Sequence, residues 1–214
     1  MAGENAVQMA DRFRGYYPVV VDVETAGFND QTDALLEIAA VCLSYDTQGK
    51  LVPIATSHYH VEPFEGANIE QAALDFTGID PFNPLREAVN EKVALKGVFN
   101  EIRRHKNPLG CNRAVLVGHN SSFDLGFLKA AVDRCNIKRN PFHLFTSFDT
   151  ATLAGVMLGQ TVLARACEAA GIVFDNNEAH SALYDAEKTA ELFCYLVNHY
   201  QAVAPKLGIM DPAL

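Results

Sequence analysis

The 214 residues contain no tryptophan, few cysteines and no long apolar run. No hydrophobic segment reaches the roughly 18 to 20 residues that a membrane-spanning helix needs, and Met1 to Ala10 lack the basic opening of an export signal. The five cysteines, Cys42, Cys111, Cys135, Cys167 and Cys194, are scattered and include no C-x-x-C pair. That spacing suits neither a disulfide framework nor a zinc site, and reduced thiols are the simplest reading. The expectation is a soluble, unexported, cytoplasmic protein with no membrane partner. No glycine-rich loop follows a strand, which argues against a P-loop or dinucleotide enzyme. Positive charge is scarce too: 17 Lys and Arg stand against 26 Asp and Glu, a net charge of −9. An acidic body repels phosphate, so a nucleic-acid partner would require a local basic groove. Arg12, Arg14, Arg103, Arg104, Lys106, Arg113, Lys138 and Arg139 could build one, although each taken alone reads more simply as a solvated or helix-end charge.

With 49% hydrophobic residues, this length fits one domain over residues 1–214, with 1–10 expected to be flexible. Tyr17 to Thr25 is β-branched and almost continuously apolar, as a strand buried on both faces should be. Leu35 to Tyr45 and Val52 to Val61 follow across short polar connections, which predicts a three-stranded antiparallel meander. Helices are expected over Asn68 to Phe76 and Arg86 to Lys106, a compact strand over Ala114 to Gly118, and a helix from Phe123 to Cys135. A strand at Leu144 to Phe148, a helix pair between Thr150 and Ala170 and a last helix from Ser181 to Tyr200 complete an α/β sheet with helical cover.

Within this frame Asp22 and Glu24 lie two residues apart on the first strand, so their carboxylates share one face. Adjacent carboxylates in an apolar setting repel and resist desolvation unless one is protonated or a cation neutralises both. A hard divalent metal is the economical answer; two side chains reaching solvent at the strand end is the alternative. Asp124 follows a buried strand and, read alone, is equally a first-turn carboxylate favoured by the helix dipole. Asp185 shares a mostly apolar helical face with Thr189, Leu192 and Leu196, so it is expected to point inward. His180, just before that helix, is an ordinary cap or surface histidine unless it joins the carboxylates, where an imidazole suits proton transfer near neutral pH. Asp149 immediately precedes a helix and is read as its N-cap.

Asp22-Val23-Glu24-Thr25, Gly118-His119-Asn120-x-x-Phe123-Asp124 and His180-x-x-x-x-Asp185 resemble, in order, the three exonuclease motifs of the DEDDh branch of the DEDD superfamily. Arg12-Phe13-Arg14-Gly15, Thr32 to Ile38, Gly110-Cys111-Asn112-Arg113 and Lys138 to His143 extend the likeness to one bacterial exoribonuclease subgroup, over about Asp11 to Asn198. The resemblance implies a ribonuclease H-like mixed sheet flanked by helices. It implies two Mg²⁺ ions, with Mn²⁺ able to substitute, held by Asp22, Glu24, Asp124 and Asp185. His180 would take the proton of the attacking water, and 3′→5′ hydrolysis would release nucleoside 5′-monophosphates.

Base stacking is expected of Phe28 and Phe123 from their places beside the motifs, and of Phe76 and Phe145 from the resemblance. Arg12, Arg14, Arg113, Lys138 and Arg139 match the family's substrate-binding segments, which are thought to serve a partner subunit, so a homodimer is implied. The implied substrates are RNA 3′ ends, with transfer-RNA end turnover and small stable RNA maturation, and also single-stranded DNA. Relatives carry an acid four residues before the phenylalanine at Phe76; here Ala72 stands there, and terminal-base preference is left open. The competing readings are a DNA-directed proofreading or repair exonuclease of the same branch and a non-catalytic nucleic-acid-binding module.

Overall fold

The computed structural model describes residues 8–208, so Met1 to Val7 of the segment expected to be flexible lie outside the described residues. Met9, from the same segment, is packed into the core at 3% exposure, where its thioether meets apolar neighbours. The strands are β1 (Tyr16–Thr25), β2 (Leu35–Tyr45), β3 (Leu51–His60), β4 (Arg113–Gly118) and β5 (Phe142–Asp149). The helices are α1 (Gln71–Thr77), α2 (Glu91–Lys106), α3 (Ser122–Arg134), α4 (Thr150–Leu158), α5 (Leu163–Ala169) and α6 (Ala182–Val203).

The five strands form one sheet in the order β3-β2-β1-β4-β5. The predicted meander is antiparallel, and β4 and β5 then add parallel to β1. The mixed sheet is thus the expected one. β2 is buried over its first nine residues and touches both α2 and α6, which therefore cover opposite faces. α6 lies along the face of β1, β2 and β3, with Ala186, Ala190, Phe193 and Val197 in the main core.

Two helices begin later than the apolar periodicity predicts. Val89 pairs as an isolated bridge with Val61 instead of opening a helix, because Glu87 takes a left-handed φ of 51° and the Asn90 side chain caps α2 by accepting from Val93 N. Asn68 likewise runs beside Asp33, donating from its backbone N to Thr32 O, and α1 starts only at Gln71. In both places tertiary hydrogen bonds outbid local helical preference.

The pairing of β4 with β5 carries a large bulge. Ala114 pairs with Phe142 and Leu116 with Ser147, so five steps on β5 span two on β4. The surplus pushes Leu144 and Phe145 outward, and both are exposed.

Asn198 of α6 clamps the start of β3: Leu51 N donates to its Oδ1 at 2.8 Å, and its Nδ2 donates to Leu51 O at 2.9 Å. Asn198→Ala leaves both backbone groups of the buried Leu51 without this partner and is expected to cost about 1–3 kcal/mol. Denaturant titration checks this; an unchanged midpoint would show that the clamp contributes nothing.

Candidate active site

The strand alternation works as expected at the end of β1, where Val23 is buried and Asp22 and Glu24 are half-buried on the opposite face. Ligating oxygens of Asp22, Glu24 and Asp185 lie within 4.8 Å of one another. Asp124 joins from the side. β4 pairs with β1 only as far as Val20, and beyond that point the Asp124 carboxylate takes over the free edge by accepting from Val23 N at 3.1 Å. Gly118 makes room for it, since a Cβ there would stand 2.9 Å from Asp124 Oδ2.

The loop between β4 and Asp124 is held from two sides. His119 bonds through Nδ1 to Thr150 Oγ1 and through Nε2 to Thr161 O. Asp149 caps α4 as expected, accepting from Ala151 N and Thr152 N, and it also accepts from Asn120 N at 2.8 Å. The bond from Asn120 N, which steadies Asn120 at a φ of 68°, has no signature in the sequence.

Asp185 sits in the first turn of α6 and accepts at Oδ2 from His180 N at 3.1 Å. Its Oδ1 is buried and makes no hydrogen bond. A buried carboxylate oxygen without a donor, on a residue grouped with two further carboxylates, fits a bound cation. At an effective dielectric of about 20, unit charges about 5 Å apart repel by about 3 kcal/mol, so the ionised cluster cannot persist uncompensated. Burial, reinforced by Asp124, Glu24, Asp185 and Glu37, holds Asp22 well above the usual carboxylate range. Burial likewise raises Glu24 to about 8, followed by the charges of Asp185, Glu37 and Asp124. Asp124 is also pushed to about 8 by burial, against the pull of its backbone hydrogen bonds.

Beside the carboxylates opens a cleft of about 340 Å³ lined by Glu24, Phe28, Glu70, Ala72, Phe76 and Phe123, among others. Phe28 is 85% exposed and meets Phe123 edge-on, with centroids 6.2 Å apart. Across the cleft the Phe76 ring lies 4.2 Å from that of the exposed His180, whose φ is 67°. The loop carrying Phe28 is organised by the buried Asp33, which accepts from Asn29 N, Thr32 Oγ1 and Asn68 Nδ2. Gly27 must be glycine because a Cβ would stand 2.0 Å from Asp33 Oδ2. Glu70 was not singled out from the sequence; its place in the cleft comes from the chain crossing back to pair Asn68 with Asp33.

Other expected substrate residues lie elsewhere. Phe145, on the β5 bulge, packs edge-on against His143, which itself contacts Tyr16 at the start of β1. Arg14, Arg113, Lys138 and Arg139 are exposed near the starts of β1, β4 and β5, the opposite end of the sheet from Asp22 and Glu24. Arg12 is buried, its guanidinium 5.3 Å from the Phe13 ring centre.

The exonuclease family model labelled RNase T matches residues 19–193. Ribonuclease T of Vibrio vulnificus (strain YJ016) is 62% identical over 95% of this chain and 94% of its own. That of Photorhabdus laumondii is 61% identical over 90% and 89%. The chain belongs to the ribonuclease T family of exonucleases. The expectation of a metal-dependent 3′→5′ exonuclease on a ribonuclease H-like sheet is therefore met. Among solved structures, E. coli exonuclease I in complex with a dT13 oligonucleotide superposes with a TM-score of 0.65 at 18% identity, covering 90% of this chain and 42% of that one. Its zinc-bound form gives 0.66 at 16% identity, covering 90% and 43%. The chain thus spans less than half the length of those structures, and the likeness is one of fold. Among the described residues, no helix is long and apolar enough to cross a membrane.

A ribonuclease T-family cluster with carboxyls held near 8 carries a stability signature. A group at about 8 when folded and near 4.5 when unfolded binds its proton more tightly in the folded state. Without metal, stability therefore falls as pH rises between those values. In chelator, the melting temperature is expected to drop from about pH 5 to about pH 8, Glu24→Gln to reduce the drop, and Mg²⁺ or Mn²⁺ to raise it most at the alkaline end. A flat profile indifferent to metal in scanning calorimetry would contradict the cluster's electrostatics.

Proposed function

We propose that this protein is an exoribonuclease that shortens RNA from the 3′ end, releasing nucleoside 5′-monophosphates with two Mg²⁺ ions. The observation that carries the reading is the convergence of Asp22, Glu24 and Asp185, the last with an unbonded buried oxygen, beside Asp124 and next to an aromatic cleft that Glu24 lines. Asp22, Glu24, Asp124 and Asp185 offer only oxygen donors, the chemistry that Mg²⁺ and Mn²⁺ prefer. When bound, the ions supply Lewis-acid activation of water and charge neutralisation at the transferring phosphoryl group.

The chain's own residues do the rest. Asp185 tethers the backbone of His180, and the His180 ring stands exposed at the cleft, placed to accept the attacking water's proton. Phe28, Phe76 and Phe123 offer faces and edges on which a terminal base stacks whatever its identity. Ala72 brings no acid to its own place on the cleft wall, and Glu70 is the carboxylate of that segment that lines the cleft.

The basic residues support a homodimer. From Tyr16 to Asp22 the extended strand runs about 20 Å, too far for Arg14 or Arg113 to grip the nucleotide being cleaved. Lys138, Arg139, Arg113 and Arg14 are placed to hold phosphates of the upstream strand, or to serve the cleft of a second subunit, with Phe145 exposed on the same edge. Transfer-RNA ends and other small stable RNAs are the substrates this reading favours, with single-stranded DNA as a secondary one, in the cytoplasm.

The decisive experiment is digestion of a 3′-overhanging RNA duplex and its DNA equivalent with Mg²⁺. Stepwise 3′ shortening is expected of the wild type and not of Asp22→Ala, while His180→Ala should lose roughly 10²–10⁴-fold in rate, the range of general-base catalysis. Phe28→Ala should raise KM with little change in kcat, since stacking contributes about 1–3 kcal/mol per base. DNA shortened faster than RNA would replace this reading with a DNA-directed exonuclease, and binding without shortening would leave a nucleic-acid-binding module.

A further inference from the structure

Among the described residues one more group of metal-type donors converges: Glu37, His58 and His60, with ligating atoms within 4.8 Å of one another. Glu37 stands mid-sheet, its register partners being Glu24 on β1 and His60 on β3. Directly opposed residues share a face, so Glu37 lies on the carboxylate face under α6. It is only 7% exposed. His60 Nδ1 lies 2.8 Å from Oε1, Arg86 Nη2 4.0 Å from Oε1, and His58 Nε2 3.5 Å from Oε2. Ala182 N donates to Oε2 at 3.4 Å. Both oxygens already face donors, one a guanidinium, so the cluster is a compensated anion and differs in kind from the bare oxygen of Asp185.

We propose that Glu37 is a positioning residue for the exonuclease reaction, anchoring the start of α6 and thereby setting where His180 and Asp185 stand over Asp22 and Glu24. Ser181, at the N-cap, makes no side-chain capping bond. The first helical N–H goes instead to Glu37, 145 residues away in the chain, which places a carboxylate at the positive end of the helix. Immediately before it, His180 N is tied to Asp185 Oδ2, so the turn from His180 to Asp185 is closed on itself. Glu37 provides the polar tie between that turn and the sheet bearing Asp22 and Glu24. His58, His60 and Arg86 brace the carboxylate from β3 and from the turn before α2.

The inference rests on the roles given to His180 and Asp185 above, and its test separates the two. Steady-state digestion of the RNA oligonucleotide with saturating Mg²⁺ is compared for the wild type, Glu37→Ala and Glu37→Gln, each well below its own melting temperature. Misplacing catalytic groups by about 1 Å can cost about 100-fold, so Glu37→Ala is expected to lose between about 10- and 100-fold in kcat with KM nearly unchanged. Glu37→Gln keeps an acceptor for Ala182 N and should recover most of that loss; a merely structural residue would give no kcat-only effect relieved by glutamine. Should Glu37→Ala fail to fold, Glu37→Gln alone decides, through a smaller fall in kcat at constant KM. Wild-type kcat in the folded variants overturns the anchor while leaving the exonuclease intact, whereas an inactive wild type overturns both. One fewer bound Zn²⁺ per chain in His58→Ala/His60→Ala than in the wild type, measured by titration calorimetry, would make the group a metal site and also overturn the anchor.

Discussion

Mutual repulsion among Asp22, Glu24, Asp124 and Asp185 is the constraint around which this molecule is organised. Four acids gathered in a largely buried space oppose folding, and the carboxyls respond by holding their protons far above the ordinary range. The arrangement is tolerable because the surrounding elements are anchored by other means: the closed packing of β2 between two helices, the clamp between Asn198 and Leu51, and the buried aliphatic faces of β1 and β4. A divalent cation removes the repulsion, so metal affinity and apo-state instability share one origin.

The sheet topology decides which acids can meet. β1 is the strand where antiparallel pairing on one side gives way to parallel pairing on the other, and the parallel side stops at Val20. The exposed edge beyond it offers the Val23 N–H, and Asp124 is delivered there by the turn from β4 into α3. Asp185 arrives from a helix laid across the same face, its first turn tied to β2 through Glu37. The four acids come from three elements, Asp22 and Glu24 from β1, Asp124 from α3 and Asp185 from α6, which gives a rigid cluster without a long loop.

Charge is sorted along the same axis. Acids collect at the ends of β1 and β4, and the exposed Arg14, Arg113, Lys138 and Arg139 near the starts of β1, β4 and β5. The aromatic residues divide likewise, three at the carboxylate cleft and Phe145 on the β5 bulge at the far edge.

Much of this was legible in the chain itself. The two-residue spacing of Asp22 and Glu24, the unbroken apolar character of β1 and β2 and the short polar turns of the meander are local properties, set by strand and turn geometry, and the three motifs were legible through their resemblance to a known family. What required the tertiary structure were the places where distant segments settle a local choice: Val89 and Asn68 leave their helical patterns to pair beside Val61 and Asp33, bonding to the backbones of His60 and Glu62 and of Thr32 and Ala34, and Asp149 reaches Asn120. The β5 bulge places Phe145 away from the cleft that Phe28, Phe76 and Phe123 share, and Glu70 and Glu37 acquire their positions from residues far along the chain. By itself the sequence determined which residue types stand at which period, because those follow from covalent geometry and burial. Only the packed sheet decided which oxygen is left without a donor, because that depends on which backbone N–H groups other segments have already taken.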